Sequence, residues 1–337
     1  MSKGLFGGYY CIIVDYIILI NFNSHLRQEL TVMKKKNITY KLEKDEIKTL
    51  ENIRKIAVIS LFSDDYLMDI FALKGGSAIN IGYGLHYRES IDIDISMKED
   101  FSKAIFSSIE KRIENTFKTT FLENNYIIFD FKFFPNPSTP RVERFWGGYI
   151  IEFKIIEKGE HDNFKSSLEN LRRRSMVIDH NHKKIFRIDI SKNEYLTDLK
   201  EIDLEGYTIH VYGPLMIVYE KLRAICQQMD VYQKIIKTTK SPRARDFFDI
   251  YILLERLSPR VKGFSDPKNL NLLKSCFEIK KVPIKLLSEI ASQREYHRDD
   301  FIAVQSTVSK SIKLKNHDFY FDYVVSRVQE LKSLWEK

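Results

Sequence analysis

The feature that most restricts the fold is a short segment in which polar and apolar residues alternate strictly. Between Ser90 and Ser96 every second residue is isoleucine, and Asp92 and Asp94 stand between the isoleucines. A period of two is typical of a β-strand with one buried face, so both carboxylates should lie on the polar face. Such a pair lies either on a solvated strand face or around a shared divalent cation, which relieves the repulsion between like charges.

A glycine pair precedes this strand. Leu73 and Lys74 indicate the end of a strand, Gly75 and Gly76 a turn, and Ser77 the cap of a helix. Glycines allow the backbone to approach a phosphate, and a helix N-terminus favours anions. A glycine pair is often only a turn. Here a phosphate loop is followed, after fourteen residues, by a two-carboxylate strand, and nucleotidyl transfer from a nucleoside triphosphate requires that order of parts.

A third group of charged residues lies further along the chain. Arg243-Ala-Arg245-Asp246-Phe-Phe-Asp249 opens a helix, with Asp246 and Asp249 on one face. Arg243 and Arg245 provide positive charge for phosphate groups, and Lys221 on the preceding helix would reach a triphosphate. Each residue also has an ordinary explanation, namely acidic residues that complement a helix N-terminus and a lysine that faces solvent.

The periodicity of the sequence divides the chain into two halves. Helices are predicted at 42–70, 101–117 and 160–175, and further strands at 126–134, 148–156, 185–190 and 207–211. From Pro214 onward helical periods dominate, most clearly at 214–228, 243–257, 281–292 and 318–335. We therefore expect an α+β domain at 41–212 and an all-helical domain at 213–337, preceded by an N-terminal extension at 1–40.

In this order and spacing, the motifs resemble those of the AbiEii/AbiGii nucleotidyltransferases, toxins of bacterial abortive-infection and toxin–antitoxin systems. The resemblance covers residues 71–257 and rests on four segments: Leu73–Ala78, Arg88–Asp94, Lys221–Ala224 and Arg243–Asp249. It implies a polymerase-β-like nucleotidyltransferase core, which is a small mixed sheet with flanking helices, followed by the helical domain. Two positions depart from the family pattern: Gln228 stands where an arginine is usual, and Arg245 replaces a lysine.

The resemblance also implies roles for individual residues. It assigns Mg²⁺ (or Mn²⁺) to Asp92 and Asp94 and a functional role to Asp246. The expected nucleotide-binding residues are Lys74, Gly75, Gly76, Ser77, Arg88, Lys221, Arg243 and Arg245. A third carboxylate is expected on a neighbouring strand, and the candidates are Asp189 first and Glu152 second.

The function that the resemblance implies is a toxin that transfers a nucleotide from a nucleoside triphosphate to RNA, in particular tRNA, and that an antitoxin from an adjacent gene neutralises. The net charge of +8 and the basic runs Arg172–Arg174 and Lys234–Arg245 suit a nucleic-acid partner, although such runs are more often solvated faces. Two alternatives remain open. The acceptor is a protein or a small molecule, or the chain is a catalytically silent binding module.

Cysteine usage and hydropathy restrict the location. The three cysteines are far apart and form no Cys-x-x-Cys pair, which favours a reducing, cytoplasmic compartment over a disulfide scaffold or a zinc site. The apolar run from Tyr9 to Phe22 contains Asp15 and is shorter than the roughly 20 residues of a membrane span. We interpret it as an extension upstream of a start at Met33, or as an element packed on the domain, and expect no membrane partner.

Overall fold

The central element of the fold is one mixed β-sheet. The computed structural model describes residues 44–89, 92–139, 143, 145–179, 182–237, 239–257, 261 and 263–336. Within these ranges the strands are β1 Phe71–Lys74, β2 Ile93–Met97, β3 Tyr126–Asn136, β4 Gly148–Glu157, β5 Phe186–Ser191, β6 Leu199–Leu204 and β7 Tyr207–Tyr212. The predictions for residues 1–40 and for Ser90 fall outside the described residues.

The strand order is β3-β4-β5-β2-β1-β7-β6. Strand β2 runs antiparallel to β1 and parallel to β5, while β1 runs parallel to β7. The register places Asp94 of β2 opposite Lys74 of β1 on one side and opposite Asp189 of β5 on the other. The three strands at the centre of the sheet therefore bring three features together at one end of these strands. They are the glycine turn, the predicted metal-binding carboxylates and Asp189, the first candidate for a third carboxylate.

The helices flank the sheet and make up the described chain beyond β7. They are α1 Lys44–Phe62, α2 Asp65–Ile70, α3 Gly75–Ser77 with a π-helical turn at Ala78–Gly82, α4 Phe106–Glu123, α5 Lys158–Phe164, α6 Leu168–Arg174, α7 Pro214–Cys226, α8 Asp230–Gln233, α9 Ala244–Arg256, α10 Pro267–Glu278, α11 Arg294–Arg298, α12 Phe301–Thr307 and α13 His317–Gln329. Two 3₁₀ segments lie at Ile284–Gln293 and Lys332–Leu334.

The core forms where α1 and α4 pack on the sheet and where α7 packs on α9 and α10. Helix α7 has proline in its first turn, where its missing N–H is harmless, and nearly all of its residues are buried. Helix α9 carries Phe247, Ile250 and Leu254 on one buried stripe and packs on α7, α12 and α13. The lining of one cavity, described below, is shared between the sheet and these helices.

The predicted fold class, a mixed sheet followed by helices, is confirmed, with local differences. The predicted helix at 101–117 begins only at Phe106 and continues to Glu123. Strand β6 was not predicted because Lys200, Glu201 and Asp203 are polar and exposed, as is common on a sheet edge. Residues 44–179 and 183–337 form one compact unit, and the boundary near residue 213 stays a prediction.

None of the described helices is both long enough and apolar enough to cross a bilayer.

Candidate active site

A cavity of about 520 Å³ opens at one end of the central strands β1, β2 and β5, where they meet the C-terminal helices. The residues that line it from the sheet side include Gly75, Gly76, Asp92, Asp94 and Asp189. The residues that line it from the helical side include Lys221, Arg223, Arg243, Arg245, Asp246 and Lys280. Carboxylates thus face cations across the cavity, an arrangement suited to a ligand that carries both phosphates and a divalent cation.

The glycine turn touches the predicted metal strand directly. Gly75 has a φ of +63°, and a Cβ atom built on it would lie 2.5 Å from Oδ2 of Asp94. Any other residue would be strained by its backbone and would displace this carboxylate. The turn therefore needs glycine for two independent reasons, and the second was not evident from the sequence.

Ser77 differs from its predicted role as a helix cap. The helix begins at Gly75, so Ser77 lies inside it and makes no capping hydrogen bond. Its buried hydroxyl instead donates to the carbonyl oxygen of Asp92 at 2.6 Å. Asn80, one turn further on, donates to the carbonyl oxygen of Arg88 at 3.0 Å. The helix that follows the glycine turn thus holds both ends of the segment that leads into β2.

Asp94 lies in a group of three carboxylates. Burial raises its pKa to about 6, Lys74 opposes this shift, and the neighbouring charges of Asp92 and Asp189 add to it. Asp189 accepts hydrogen bonds from Arg187 at 2.9 and 2.8 Å. Negative charge therefore accumulates at Asp92 and Asp94, the position where a cation would relieve it.

Glu152 lies one step further from this group. It pairs in register with Arg187 on the neighbouring strand, and its carboxylate is 3.8 Å from the Arg187 guanidinium. It does not belong to the described cavity lining, whereas Asp189 does. The position of Asp189 beside Asp94 suits a third carboxylate better than that of Glu152, and its catalytic role stays a prediction.

The donor set fits a divalent cation that keeps much of its water. Among the described residues, no three or more histidine, cysteine or acidic side chains are grouped as a complete metal site. Asp92 and Asp94 would supply two hard oxygen ligands, and Mg²⁺ is commonly bound by one or two carboxylates with water and substrate phosphates in the remaining positions. Two carboxylates at an open cavity suit that mode of binding.

Arg88 and Lys221 are engaged with carboxylates. Arg88 donates two hydrogen bonds, both of 2.7 Å, to Asp249. The Nζ atom of Lys221 lies 2.8 Å from Asp249 and 2.8 Å from Asp246. Burial opposes ionisation of Asp249, but Arg88 and Lys221 outweigh it and hold the pKa of Asp249 well below its usual range. Both cations also line the cavity, so each has a structural partner, and its contact with the nucleotide stays a prediction.

Arg243, which precedes α9, and Arg245 and Asp246 in its first turn line the cavity. Oδ1 of Asp246 accepts from Lys221, while its buried Oδ2 has no hydrogen-bond partner among the described atoms and lies 3.9 Å from Nη1 of Arg243. Arg245 is exposed and lines the cavity. Asp246 thus orients Lys221, and the two arginines are the cations best exposed to an incoming phosphate.

Gln228, which departs from the family pattern, has a structural role. It is buried, its Nε2 donates to the carbonyl of Ala224 at 3.0 Å, and its Oε1 accepts from the backbone N–H of Ser241 at 2.8 Å. It therefore ties the end of α7 to the segment that precedes α9, and Ser241 lines the cavity.

A buried ion cluster at the cavity was not anticipated from the sequence. Glu194 lies 3.4 Å from Lys74, 3.0 Å from Arg223 and 3.3 Å from Lys280. Burial favours its neutral form, yet these three cations hold the pKa of Glu194 far below its usual range. Lys74 also lies 3.1 Å from Glu220. This lysine therefore balances two buried carboxylates, partners that only the fold reveals, and its contact with the nucleotide stays a prediction.

The predicted basic surface at Arg172–Arg174 is largely neutralised. Arg172 donates to Asp130 at 2.7 and 2.9 Å, Arg173 pairs with Glu169 and Arg174 with Glu160. None of the three arginines belongs to the described cavity lining. In the second basic run, Lys234–Arg245, Lys240 pairs with Asp230 at 2.7 Å. The basic residues of this run that line the described cavity are Arg243 and Arg245.

Of the three cysteines, Cys226 and Cys276 are described, and both are buried free thiols.

The chain is similar to several solved structures at low sequence identity, and comparison with curated protein sequences gives no match. One of these structures is JHP933 from Helicobacter pylori (TM-score 0.39, 15% identity, covering 87% of this chain and 95% of that one). A second is another H. pylori protein, assigned as a nucleotidyltransferase (TM-score 0.40, 15% identity, 88% and 100%). A third is an antigenic nucleotidyltransferase-like protein from Paracoccidioides brasiliensis (TM-score 0.34, 14% identity, 71% and 98%).

The family comparison covers most of the chain. Residues 58–309 match the family described as "Nucleotidyl transferase AbiEii toxin, Type IV TA system". This range contains all four motifs, so the resemblance inferred from them is confirmed. The chain belongs to the AbiEii family of nucleotidyltransferase toxins of type IV toxin–antitoxin systems.

Proposed function

We propose that the protein is a Mg²⁺-dependent enzyme that transfers a nucleoside monophosphate from a nucleoside triphosphate to an RNA acceptor such as a tRNA. The observation that carries the proposal is the contact between the Gly75 turn and Asp94, with Asp189 beside Asp94 on the next strand. This arrangement supports the assignment of the glycine turn to phosphate binding, of Asp92 and Asp94 to metal binding and of Asp189 to the third carboxylate.

The proposed reaction is an in-line displacement. The acceptor hydroxyl oxygen forms a bond to the α-phosphorus, the bond between the α-phosphorus and the bridging oxygen breaks, and pyrophosphate leaves with that electron pair. The hydroxyl proton passes to a nearby acceptor, for which Asp189 is the best-placed carboxylate. A cation bound by Asp92 and Asp94 would neutralise charge on the phosphoryl and leaving oxygens.

The cations of the helical side would bind the leaving pyrophosphate. Arg243 and Arg245 line the cavity, and Lys221 is held at its wall by Asp246 and Asp249. A triphosphate would compete with these carboxylates for Lys221, and its higher charge would favour the exchange. Asp246 therefore acts as a positioning residue in this proposal, and its carboxylate does not need to touch the reacting atoms.

Charge supports RNA as the acceptor. The net charge of +8 favours a polyanion over a neutral small molecule. In addition, the family match implies a toxin that an antitoxin restrains. We therefore infer that the partner encoded by an adjacent gene suppresses this activity, which co-expression of that gene would test by restoring growth.

A labelled-nucleotide assay tests the proposal. The purified protein is incubated with α-³²P-labelled ATP, CTP, GTP or UTP, with Mg²⁺ and with total RNA, and the products are separated by size and chemistry. We expect label on RNA that disappears with a chelator and in Asp92→Asn and Asp94→Asn. A matched control is Asp203→Asn, which neutralises an exposed strand aspartate on β6 and should leave the labelling intact.

Two results would contradict the proposal. Label found only on protein or on a small molecule would exclude RNA as the acceptor while it leaves nucleotidyl transfer intact. Growth arrest that persists in Asp92→Ala and Asp94→Ala, together with no transfer to any acceptor, would favour a catalytically silent binding module.

A further inference from the structure

Trp146 forms part of the cavity wall on the side away from the glycine turn. Trp146 precedes Gly148, the first residue of β4, by two positions. Gly148 pairs with Ser191 on β5, and Asp189 lies two positions before Ser191 on the same strand. Along the sheet the order is β4, β5, β2 and β1, so Asp189 and then Asp94 separate Trp146 from Gly75. The line of β4 is two strand spacings, roughly 10 Å, from the strand of Asp94 and three, roughly 14 Å, from that of Gly75.

The indole ring is held by contacts from the C-terminal helices. Nζ of Lys280 lies 6.0 Å from its ring centroid and donates to the carbonyl oxygens of Phe145 at 3.2 Å and Lys192 at 2.6 Å. The ring of Tyr232 lies 6.4 Å away, and its hydroxyl donates to the carbonyl of Lys280 at 2.7 Å. The segment that carries Trp146 is thus tied to β5 and to the helical half.

The backbone beside the indole is equally restricted. Gly147 has a φ of +102°, and its carbonyl accepts from the N–H of Lys192 at 3.1 Å. A Cβ atom on Gly148 would lie 1.7 Å from the carbonyl oxygen of Ile190. The tight packing of these glycines against β5 fixes where Trp146 enters the wall, so the indole is a pre-organised, partly exposed aromatic surface.

We propose that Trp146 is a stacking platform for the base of the RNA nucleotide that carries the attacking hydroxyl. This inference rests on the proposed transfer to RNA. The metal-binding pair separates a donor side, formed by the glycine turn, from the side of Asp189, where the acceptor hydroxyl must lose its proton. An aromatic ring on the Asp189 side can stack on any base, since every base has a π face, and Lys280 adds positive charge beside it.

Fluorescence provides a direct test, because the chain has only two tryptophans, Trp146 and Trp335. In Trp335→Phe, the sole indole is Trp146. We expect a short single-stranded oligoribonucleotide to quench its fluorescence in the absence of any triphosphate, and a nucleoside triphosphate with Mg²⁺ to leave it unchanged. Quenching by the triphosphate and not by the oligonucleotide would overturn the inference and assign the platform to the donor base.

Substitutions supply the second readout. Trp146→Ala should raise both the Kd for the oligonucleotide and the KM for the acceptor RNA by roughly 10- to 100-fold, while the Kd for the triphosphate changes less than about twofold. Trp146→Phe keeps a ring and a folded wall and should stay within about threefold of the wild type. Tyr207→Ala, which removes an exposed aromatic residue on β7 that is not part of the described cavity lining, is the matched control.

The outcomes separate the two proposals. If the wild type labels RNA but Trp146→Ala retains its KM and oligonucleotide affinity, the platform is refuted and RNA transfer stands. A loss in Trp146→Phe as large as that in Trp146→Ala would also refute stacking, because the phenyl ring keeps a π face. If the wild type neither binds the oligonucleotide nor labels RNA, the proposed function itself fails, and the platform fails with it.

Discussion

Gly75→Ala tests the contact between the glycine turn and Asp94, the proposed metal ligand on β2. The substitution adds one methyl group at a residue with a φ of +63°. The left-handed backbone costs an L-residue about 1–2 kcal/mol. The new Cβ would also lie 2.5 Å from Oδ2 of Asp94, about 1 Å short of an ordinary contact of roughly 3.5 Å. The carboxylate of Asp94 can yield by rotating, so the damage should fall on the site more than on the fold.

The two effects can be separated with a second glycine. Gly84 has a φ of +66°, and a Cβ atom on it would meet nothing within 4 Å. Gly84→Ala therefore carries the same backbone penalty without the collision. We expect each variant to lower the free energy of unfolding by about 1–2 kcal/mol. Only Gly75→Ala should slow catalysis, by about 100-fold, because a displacement near 1 Å moves the carboxylate that we propose as a metal ligand.

The measurements are urea unfolding followed by circular dichroism, the initial rate of pyrophosphate release, and Mn²⁺ binding followed by electron paramagnetic resonance. Gly75→Ala should bind Mn²⁺ more weakly, whereas Gly84→Ala should match the wild type. Equal losses of rate in the two variants would refute the reasoning, since the collision with Asp94 would then have no effect of its own. A fully active Gly75→Ala would refute it as well.

Three further predictions concern buried charge. Arg88→Lys keeps the charge but loses the bidentate salt bridge to the buried carboxylate of Asp249, so the free energy of chemical unfolding should fall by about 2–4 kcal/mol. An unchanged free energy of unfolding would contradict the structural role of Arg88. Glu194→Gln leaves three cations around a neutral amide, so the free energy of unfolding should fall by about 3–5 kcal/mol. The control Glu205→Gln, at an exposed salt bridge, should lower it by less than about 1 kcal/mol. Similar losses in the two variants would contradict a stabilising role for the buried cluster. Burial lowers the pKa of His297 to about 4 from its usual 6.5. Between about pH 6.5 and pH 4 the unfolded chain therefore binds a proton at His297 that the folded chain does not bind. The free energy of unfolding falls by about 3 kcal/mol as the pH decreases through this range. In His297→Gln unfolding should be less sensitive to pH over that window, and an unchanged slope would refute the assignment.

Local patterns predicted the parts of the site that depend on neighbouring residues. The alternation around Asp92 and Asp94 indicated the strand and its polar face, and Gly75-Gly76 indicated the turn. The described strand is Ile93–Met97, whereas the alternation predicted it from Ser90 to Ser96, so Asp92 lies immediately before the strand, and its carbonyl oxygen accepts the hydrogen bond from Ser77. These features are encoded within a few residues of one another.

Charge partners were not predictable in this way. Arg88 and Asp249 are 161 positions apart, and Lys74 and Glu194 are 120 positions apart. A cationic residue near a predicted phosphate loop is expected to face the phosphate. The local sequence does not show that a carboxylate from a distant helix or loop lies beside that residue in the folded chain. The same limit applies to Trp146, whose place at the cavity depends on how β4 pairs with β5.

The ion cluster also restricts how this chain can change over evolution. Glu194 follows β5, whereas Arg223 comes from helix α7 and Lys280 from the turn after α10. A single neutral substitution among them disturbs the balance of charge in a buried cluster. Substitutions at these positions should therefore be inherited together, and relatives that lack an acidic residue at the place of Glu194 should also lack at least one of the two cations.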